Sequence, residues 1–371
     1  PVAVDGKPSL ARATGAGTGH KSFPTPLVTA GALIRTRALA TVARLPPDTP
    51  LRTAVVLVSH RFDPPILDEF ARMRRALREG DRAFVLSDAA VVPDLPGATA
   101  HRFEFDRIAA RAARLVGAGV LRNLHLAWID FFAAHPDFDQ YWFVEYDVCF
   151  AGPWAELLDA FREQPHDLFC AHLRDAAEEP DWHWWHEIHA PAGPPDRDAL
   201  LRGFLPIARL TRRAMTVLTE AVAQGWSGFF EGLVPTVLQA HGLGIGDFGG
   251  DGRFVPDGFR QRFYTSASDA AGSLCNAGTH RYRPAIAYPR IAAGRIYHPV
   301  KPEDCLIDAG IDAEQAGAAI GNLLEQVRQY RLHRAVPVEA LLQALAGGGA
   351  DALRGAIAGL ANRHGGDPRF A

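Results

Sequence analysis

Two short apolar segments separated by a helical pattern constrain the fold of this chain more than any other feature. Residues 53–59 (TAVVLVS) and 81–88 (DRAFVLSD) have the length and composition of buried strands, and residues 65–77 between them predict a helix. Parallel strands need such a crossover connection, so the order strand, helix, strand predicts a parallel α/β sheet. In sheets of this kind, ligands bind at the carboxyl ends of the strands.

A third apolar run ends in two acids. Residues 141–144 (YWFV) lead into Glu145 and Asp147, and a Gly-Pro turn at 152–153 closes the segment. Side chains alternate along a strand, so both acids are expected on one face. Two carboxylates there repel each other and are costly to desolvate, and a hard cation such as Mg²⁺ or Mn²⁺ would stabilise them. The alternative is that both acids are merely solvated.

Composition and charge narrow the class of protein. The chain has 371 residues, of which 48% are hydrophobic and 22% charged, which is typical of a globular protein with a substantial core. A net charge of −3 gives no long-range reason to bind nucleic acid. No apolar stretch approaches the roughly 18 residues of a membrane span. The four cysteines lack CxxC spacing. We therefore expect a cytoplasmic enzyme.

The chain is predicted to have three parts. Residues 1–52 form an N-terminal extension that is expected to be partly disordered, because residues 1–26 are rich in Gly, Pro, Ser and Thr. Residues 53–308 form the catalytic domain. Residues 309–371 are rich in Ala and Leu and predict a C-terminal helical appendage, through which the chain could form a homo-oligomer.

The segment YWFVEYDV, followed by Gly-Pro-Trp, resembles the acidic metal motif (DxD or its ExD variant) of glycosyltransferases with the nucleotide-diphospho-sugar transferase fold, called GT-A. More narrowly, it is similar to a bacterial group of such transferases with EYDV at this point. The resemblance covers roughly residues 53–302. It implies a GT-A-like (Rossmann-like) mostly parallel sheet flanked by helices. It also implies metal-dependent transfer of a sugar from a nucleotide-sugar to an acceptor hydroxyl, with inversion expected and retention as the alternative.

The resemblance implies a set of donor-binding and metal-binding residues. Asp147, Glu145 and, near the end of the catalytic domain, His298 would bind Mn²⁺ or Mg²⁺, and Lys301 would pair with the diphosphate. Glu145 could instead reach the ribose or a metal-bound water, and 298–301 could be a surface strand end. The expected contacts to the nucleotide are residues that could equally be turn or helix-capping residues: Ser59, His60, Asp63, Asp88 and Asn123.

A catalytic base and an acceptor site are expected further along the chain. Glu231 opens an apolar helical stretch, where a carboxylate is favoured. It resembles the general base of inverting transferases, or it is an ordinary first-turn acid. The long loop 174–198 carries aromatic residues that could stack on an acceptor sugar, form a lid or form a hydrophobic plug, and Trp226 would border the same pocket. The three loop residues are Trp182, Trp184 and Trp185. The acceptor could be a glycan, a lipid-linked molecule or a small molecule.

Two other functions remain open. A sugar-phosphate nucleotidyltransferase uses related metal chemistry, but it would usually carry a glycine-rich loop after the first strand, where this chain has SHRFDPP. A non-catalytic scaffold could have kept the fold. The glycines of residues 244–249 match GxGxxG without a surrounding strand–turn–helix unit, so they predict a loop rather than a dinucleotide site.

Overall fold

The computed structural model describes residues 50–117, 119–282 and 293–301. Nearly all of the predicted N-terminal extension and the whole predicted C-terminal appendage lie outside these residues. The helices and strands, in chain order, are β1 (Thr53–Val58), α1 (Pro64–Arg75), β2 (Arg82–Ser87), β3 (Ala98–Arg102), α2 (Phe105–Ala109), α3 (Leu124–Ala134), β4 (Gln140–Glu145), β5 (Cys149–Phe150), α4 (Trp154–Arg162), β6 (Leu168–Asp175), β7 (Leu201–Thr211), α5 (Arg212–Ala223), α6 (Phe230–Ala240), β8 (Ile245–Asp247), β9 (Ala267–Ser268), β10 (Leu274–Asn276) and β11 (Ile296–Tyr297).

A seven-stranded sheet organises the described residues. The strand order is β3-β2-β1-β4-β7-β6-β8, and every strand except β7 runs in the same direction. The predicted α/β fold with a mostly parallel sheet flanked by helices is therefore confirmed. The carboxyl ends of β1, β2 and β4 meet at one edge, so the residues that follow these strands are neighbours in space.

Hydrophobic side chains cover both faces of the sheet. Ala54 and Val56 belong to a core formed with α3, α5 and α6, whereas Val55 and Leu57 belong to a core formed with α1 and α4. This alternation along one strand is the period of two that a sheet buried on both faces requires. No helix among the described residues is long and apolar enough to cross a membrane.

The helices follow local signals. Thr211 caps α5, because its Oγ1 accepts a hydrogen bond from the Ala214 N–H at 3.1 Å. A loop that contains the short 3-10 helix Val120–Arg122 separates α2 from α3. Gly119 there has a φ of 102°, which favours glycine. The buried Asn123 amide holds this loop: its Oδ1 accepts from the Val116 N–H at 3.1 Å, and its Nδ2 donates to the carbonyl oxygens of Val116 at 3.1 Å and Gly119 at 3.0 Å.

Candidate metal and donor site

The acidic segment follows the central strand β4, but not as an extended strand. β4 ends at Glu145, and Tyr146 and Asp147 form a turn that leads into β5. The Tyr146 N–H donates to the Val58 carbonyl at 3.0 Å, and the Val148 N–H donates to the Glu145 carbonyl at 3.0 Å. The two acids converge as expected, but strand alternation is not the reason, because Asp147 lies beyond the end of β4. The turn, rather than the pleat, brings Asp147 back beside Glu145.

A distant part of the chain supplies the third predicted ligand. Strand β11 pairs antiparallel with β5, and the Val300 N–H donates to the Asp147 carbonyl at 2.7 Å. This pairing places the His298 Nε2 3.4 Å from the Asp147 Oδ1. One ligand atom from each of Glu145, Asp147 and His298 lies within 4.8 Å of the others.

The side-chain atoms that meet at this point are of the types that bind a divalent cation. The His298 Nδ1 lies 2.6 Å from the Arg281 carbonyl oxygen. A carbonyl only accepts, so Nδ1 carries a proton, and the neutral form of His298 would present a lone pair at Nε2. The Asp147 Oδ1 facing it is buried and makes no hydrogen bond among the described residues. The facing Asp147 Oδ1 and His298 Nε2, together with the Glu145 carboxylate, form a mixed oxygen and nitrogen set that is compatible with a divalent cation such as Mn²⁺.

The two carboxyl groups titrate differently. Burial, and after it the negative charge of Asp147, raise the pKa of Glu145 to about 7 against the opposing charges of His298 and Lys301. Burial also acts to raise the pKa of Asp147, but His298 and Lys301 outweigh it, and the pKa of Asp147 lies below its ordinary value. Asp147 is therefore the more acidic of the two groups, and the pKa of Glu145 lies near neutral pH.

Lys301 borders the same cluster. Its Nζ lies 3.3 Å from the Asp147 Oδ2 and donates to the Tyr146 Oη at 3.2 Å. The His60 ring packs edge-on against the Tyr146 ring, with a centroid distance of 4.9 Å. His60 and Lys301, which the resemblance assigns to the donor, thus both contact Tyr146. Sequence reasoning missed Tyr146, whose only signal was its position between the two acids.

The other residues expected at the nucleotide lie in the strand-end loops or near them. The Ser59 Oγ accepts from the Arg61 N–H at 3.0 Å, and the Asp63 carboxylate pairs with the Arg61 Nε at 2.8 Å. Asp88 is exposed after β2. The amide of Asn123 makes the loop contacts described above. Ser59 and Asn123 therefore have local structural contacts, and a donor-binding role for these residues stays a prediction.

Glu231 lies in the first turn of α6 and is half-buried. Burial raises its pKa to about 8, the charge of Arg202 opposes this rise, and the charge of Glu145 adds to it. Glu231 is therefore within electrostatic reach of the acidic cluster. Sequence reasoning also missed Arg202, which is buried on β7 with its guanidinium 3.5 Å from the Glu179 carboxylate.

The predicted acceptor tryptophans are more buried than a stacking platform requires. Trp182 and Trp185 are each 7% exposed and pack edge to face at 4.6 Å, while Trp184 and Trp226 are partly buried against the same core. Their loop borders a cavity of about 550 Å³ whose lining includes Trp182, Trp185 and Ile188. This burial favours the hydrophobic plug for the first two rings, and acceptor binding by the four residues stays a prediction.

Comparison with known proteins adds little to this geometry. No protein-family model matches the chain, and no curated protein does. Among solved structures, the chain is similar to the bifunctional glycosyltransferase WbbM in its apo form, with 14% sequence identity and a TM-score of 0.31 over 53% of this chain and 38% of that chain. The chain thus spans less than half of the length of that protein. At this level of similarity, the activity of WbbM does not transfer to this chain.

Proposed function

We propose that this chain is a metal-dependent glycosyltransferase that moves a sugar from a nucleotide-diphosphate donor to an acceptor hydroxyl with inversion. One observation carries the proposal. Glu145, Asp147 and His298 converge within 4.8 Å at the carboxyl end of the central strand, and the Lys301 ammonium lies 3.3 Å from Asp147. Carboxylates, an imidazole and an ammonium at one sheet edge suit a diphosphate with its cation.

The chemistry of the donor explains the charges. Cleavage between the anomeric carbon and the diphosphate builds negative charge on the departing phosphate oxygens. Glu145, Asp147 and His298 would hold a divalent cation, which when bound supplies Lewis-acid stabilisation and a template for the diphosphate. Lys301 adds a positive point charge beside the same oxygens. Glu145 has two roles open to it, because its longer side chain could reach the cation or the ribose.

Glu231 is the residue that we propose as the general base. It accepts the proton of the acceptor hydroxyl as that oxygen attacks the face of the sugar opposite to the diphosphate, and this geometry inverts the anomeric centre. Its pKa of about 8 is close to the range in which a carboxylate is an effective base near neutral pH. Its position within reach of Glu145 is consistent with a base that borders the donor.

Thermal unfolding with nucleotides tests the proposal. UDP or GDP plus Mn²⁺ should stabilise the wild-type chain by about 2.7 kcal/mol at 100 times the dissociation constant, and Asp147→Ala should lose this gain. Asp159→Ala, which removes a surface acid paired with Arg78, is the matched control and should keep it. Absence of stabilisation by either diphosphate would refute metal-dependent donor binding and favour a scaffold. Stabilisation by nucleoside triphosphates alone would favour nucleotidyl transfer.

A further inference from the structure

The ammonium group of Lys301 lies beside Asp147, one of the proposed metal ligands. The two oxygens of Asp147 face different partners: Oδ1 lies 3.4 Å from the His298 Nε2, and Oδ2 lies 3.3 Å from the Lys301 Nζ. The Lys301 ammonium also donates to the Tyr146 Oη and lies 5.4 Å from the centre of that ring. Asp147 is buried, so its charge is compensated mainly by groups of the protein.

We propose that Lys301 is an internal counter-ion of this site. In the free protein it neutralises Asp147, and it passes to the donor diphosphate when donor and divalent cation bind together. The inference rests on the proposed function and adds to it a binding order. The cation binds weakly to the free protein, and the nucleoside diphosphate strengthens its binding by removing the competing ammonium from Asp147.

Electrostatics gives the reason for this exchange. An ammonium and a divalent ion that share one buried carboxylate repel each other, because water does not screen them fully there. The diphosphate supplies new negative oxygens, and these let Lys301 leave Asp147 without losing a charged partner. The Tyr146 hydroxyl accepts a hydrogen bond from the same ammonium, so it can keep Lys301 at the edge of the site during the transfer.

A lysine at position 301 suits an ammonium group that changes partners. The chain contains 39 basic residues, and only Lys7, Lys21 and Lys301 are lysines, so the described residues contain a single lysine. Arginine can hold a carboxylate in a rigid planar fork, as the buried Arg162 holds Asp81 with two nitrogens on two oxygens. A lysine ammonium is a point charge with three rotatable donors on a flexible stem, which can change partners with little loss.

Binding of Mn²⁺ to the full chain, measured by titration calorimetry with and without UDP, tests the inference. Lys301→Met should bind Mn²⁺ alone about tenfold more tightly than wild type, because the competing charge is gone. UDP should improve Mn²⁺ affinity in the wild type about tenfold more than in Lys301→Met, because only the wild type has an ammonium to displace. Lys301→Gln provides a second neutral variant and should behave in the same way.

Arg78→Met is the matched control, since it removes a cation from an exposed surface pair and should leave both Mn²⁺ affinities unchanged. The counter-ion role is overturned if Lys301→Met binds Mn²⁺ no more tightly than wild type, or if UDP improves Mn²⁺ affinity equally in both. If Lys301→Met gives either of these results while wild type binds Mn²⁺ and Asp147→Ala does not, the counter-ion role fails and the proposed function stands. If wild type binds no Mn²⁺ with or without UDP, both proposals fail.

Discussion

Titration of Glu231 is expected to set the pH dependence of transfer. Burial and the charge of Glu145 raise the pKa of this carboxyl to about 8, against the opposing charge of Arg202. A general base works only when it is unprotonated. About one-tenth of the molecules are therefore active at pH 7 and about half at pH 8, so kcat/KM should rise about fivefold across that interval. A cation that neutralises Glu145 would lower the pKa of Glu231, so the rise of kcat/KM would occur at lower pH.

The assay is release of nucleoside diphosphate from a panel of UDP- and GDP-sugars in the presence of acceptors, with kcat/KM measured from pH 6 to 9.5. Glu231→Gln should lower kcat/KM by about 10²–10⁴ and abolish its rise with pH. Donor binding, measured by thermal unfolding, should be retained. The matched control is Glu220→Gln, which neutralises an exposed acid on α5 and should change neither.

Two results would refute this reasoning. If Glu231→Gln turns over at the wild-type rate, the carboxylate is not the base, and a retaining mechanism, which needs no such group, becomes the better account. If kcat/KM of Glu231→Gln falls but still rises with pH over the same interval, another group titrates there. The raised pKa of Glu231 then does not control the reaction.

Three further predictions concern stability. The Asp81 carboxylate, with its side chain 0% exposed, pairs with the Arg162 Nη2 at 2.7 Å, so Asp81→Ala should lower the free energy of unfolding by about 3–5 kcal/mol in urea denaturation. Burial acts to raise the pKa of Asp167, but its hydrogen bonds outweigh burial and lower it. Its contribution to the free energy of unfolding is therefore complete above the unfolded pKa of about 4 and is lost as the pH falls through the folded pKa. Asp167→Asn should therefore reduce the loss of stability at acidic pH. Gly232→Ala would place a Cβ 2.8 Å from the Ile188 Cδ1 and 3.0 Å from the Trp182 ring. We expect an overpacking cost of about 1–3 kcal/mol, offset by about 1 kcal/mol of helix propensity, together with a changed near-UV circular dichroism spectrum.

Local patterns predicted most of the secondary structure that positions the site. The strands predicted over residues 53–59 and 81–88 and the helix predicted over 65–77 are β1, β2 and α1, and the Thr211 hydroxyl caps α5. These elements depend on neighbouring residues, namely a 3.6-residue apolar period and a capping hydroxyl, and such signals are visible in a single segment. The helix interruption before Asn123 was not predicted in detail, because it depends on side-chain hydrogen bonds across a loop.

The glycine segment 244–249 shows a limit of local interpretation. It was predicted as a loop, but residues 245–247 form β8 at the edge of the sheet, parallel to β6. Asp247, on this strand, accepts hydrogen bonds from the Tyr264 hydroxyl at 2.7 Å and the Leu173 N–H at 3.0 Å. Glycine is unfavourable in strands, but here the pairing with β6 and the hydrogen bonds of Asp247 outweigh this cost.

The amino-acid sequence by itself determined a parallel α/β sheet and an acid at the carboxyl end of its central strand, because both follow from alternation and composition within short segments. Only the tertiary structure decided that His298 and Lys301 lie beside Asp147. That contact depends on the pairing of β11 with β5, two short strands far apart in the chain. Closing so long a loop is unfavourable for either strand alone, and it becomes favourable only when the whole sheet and its two cores are packed.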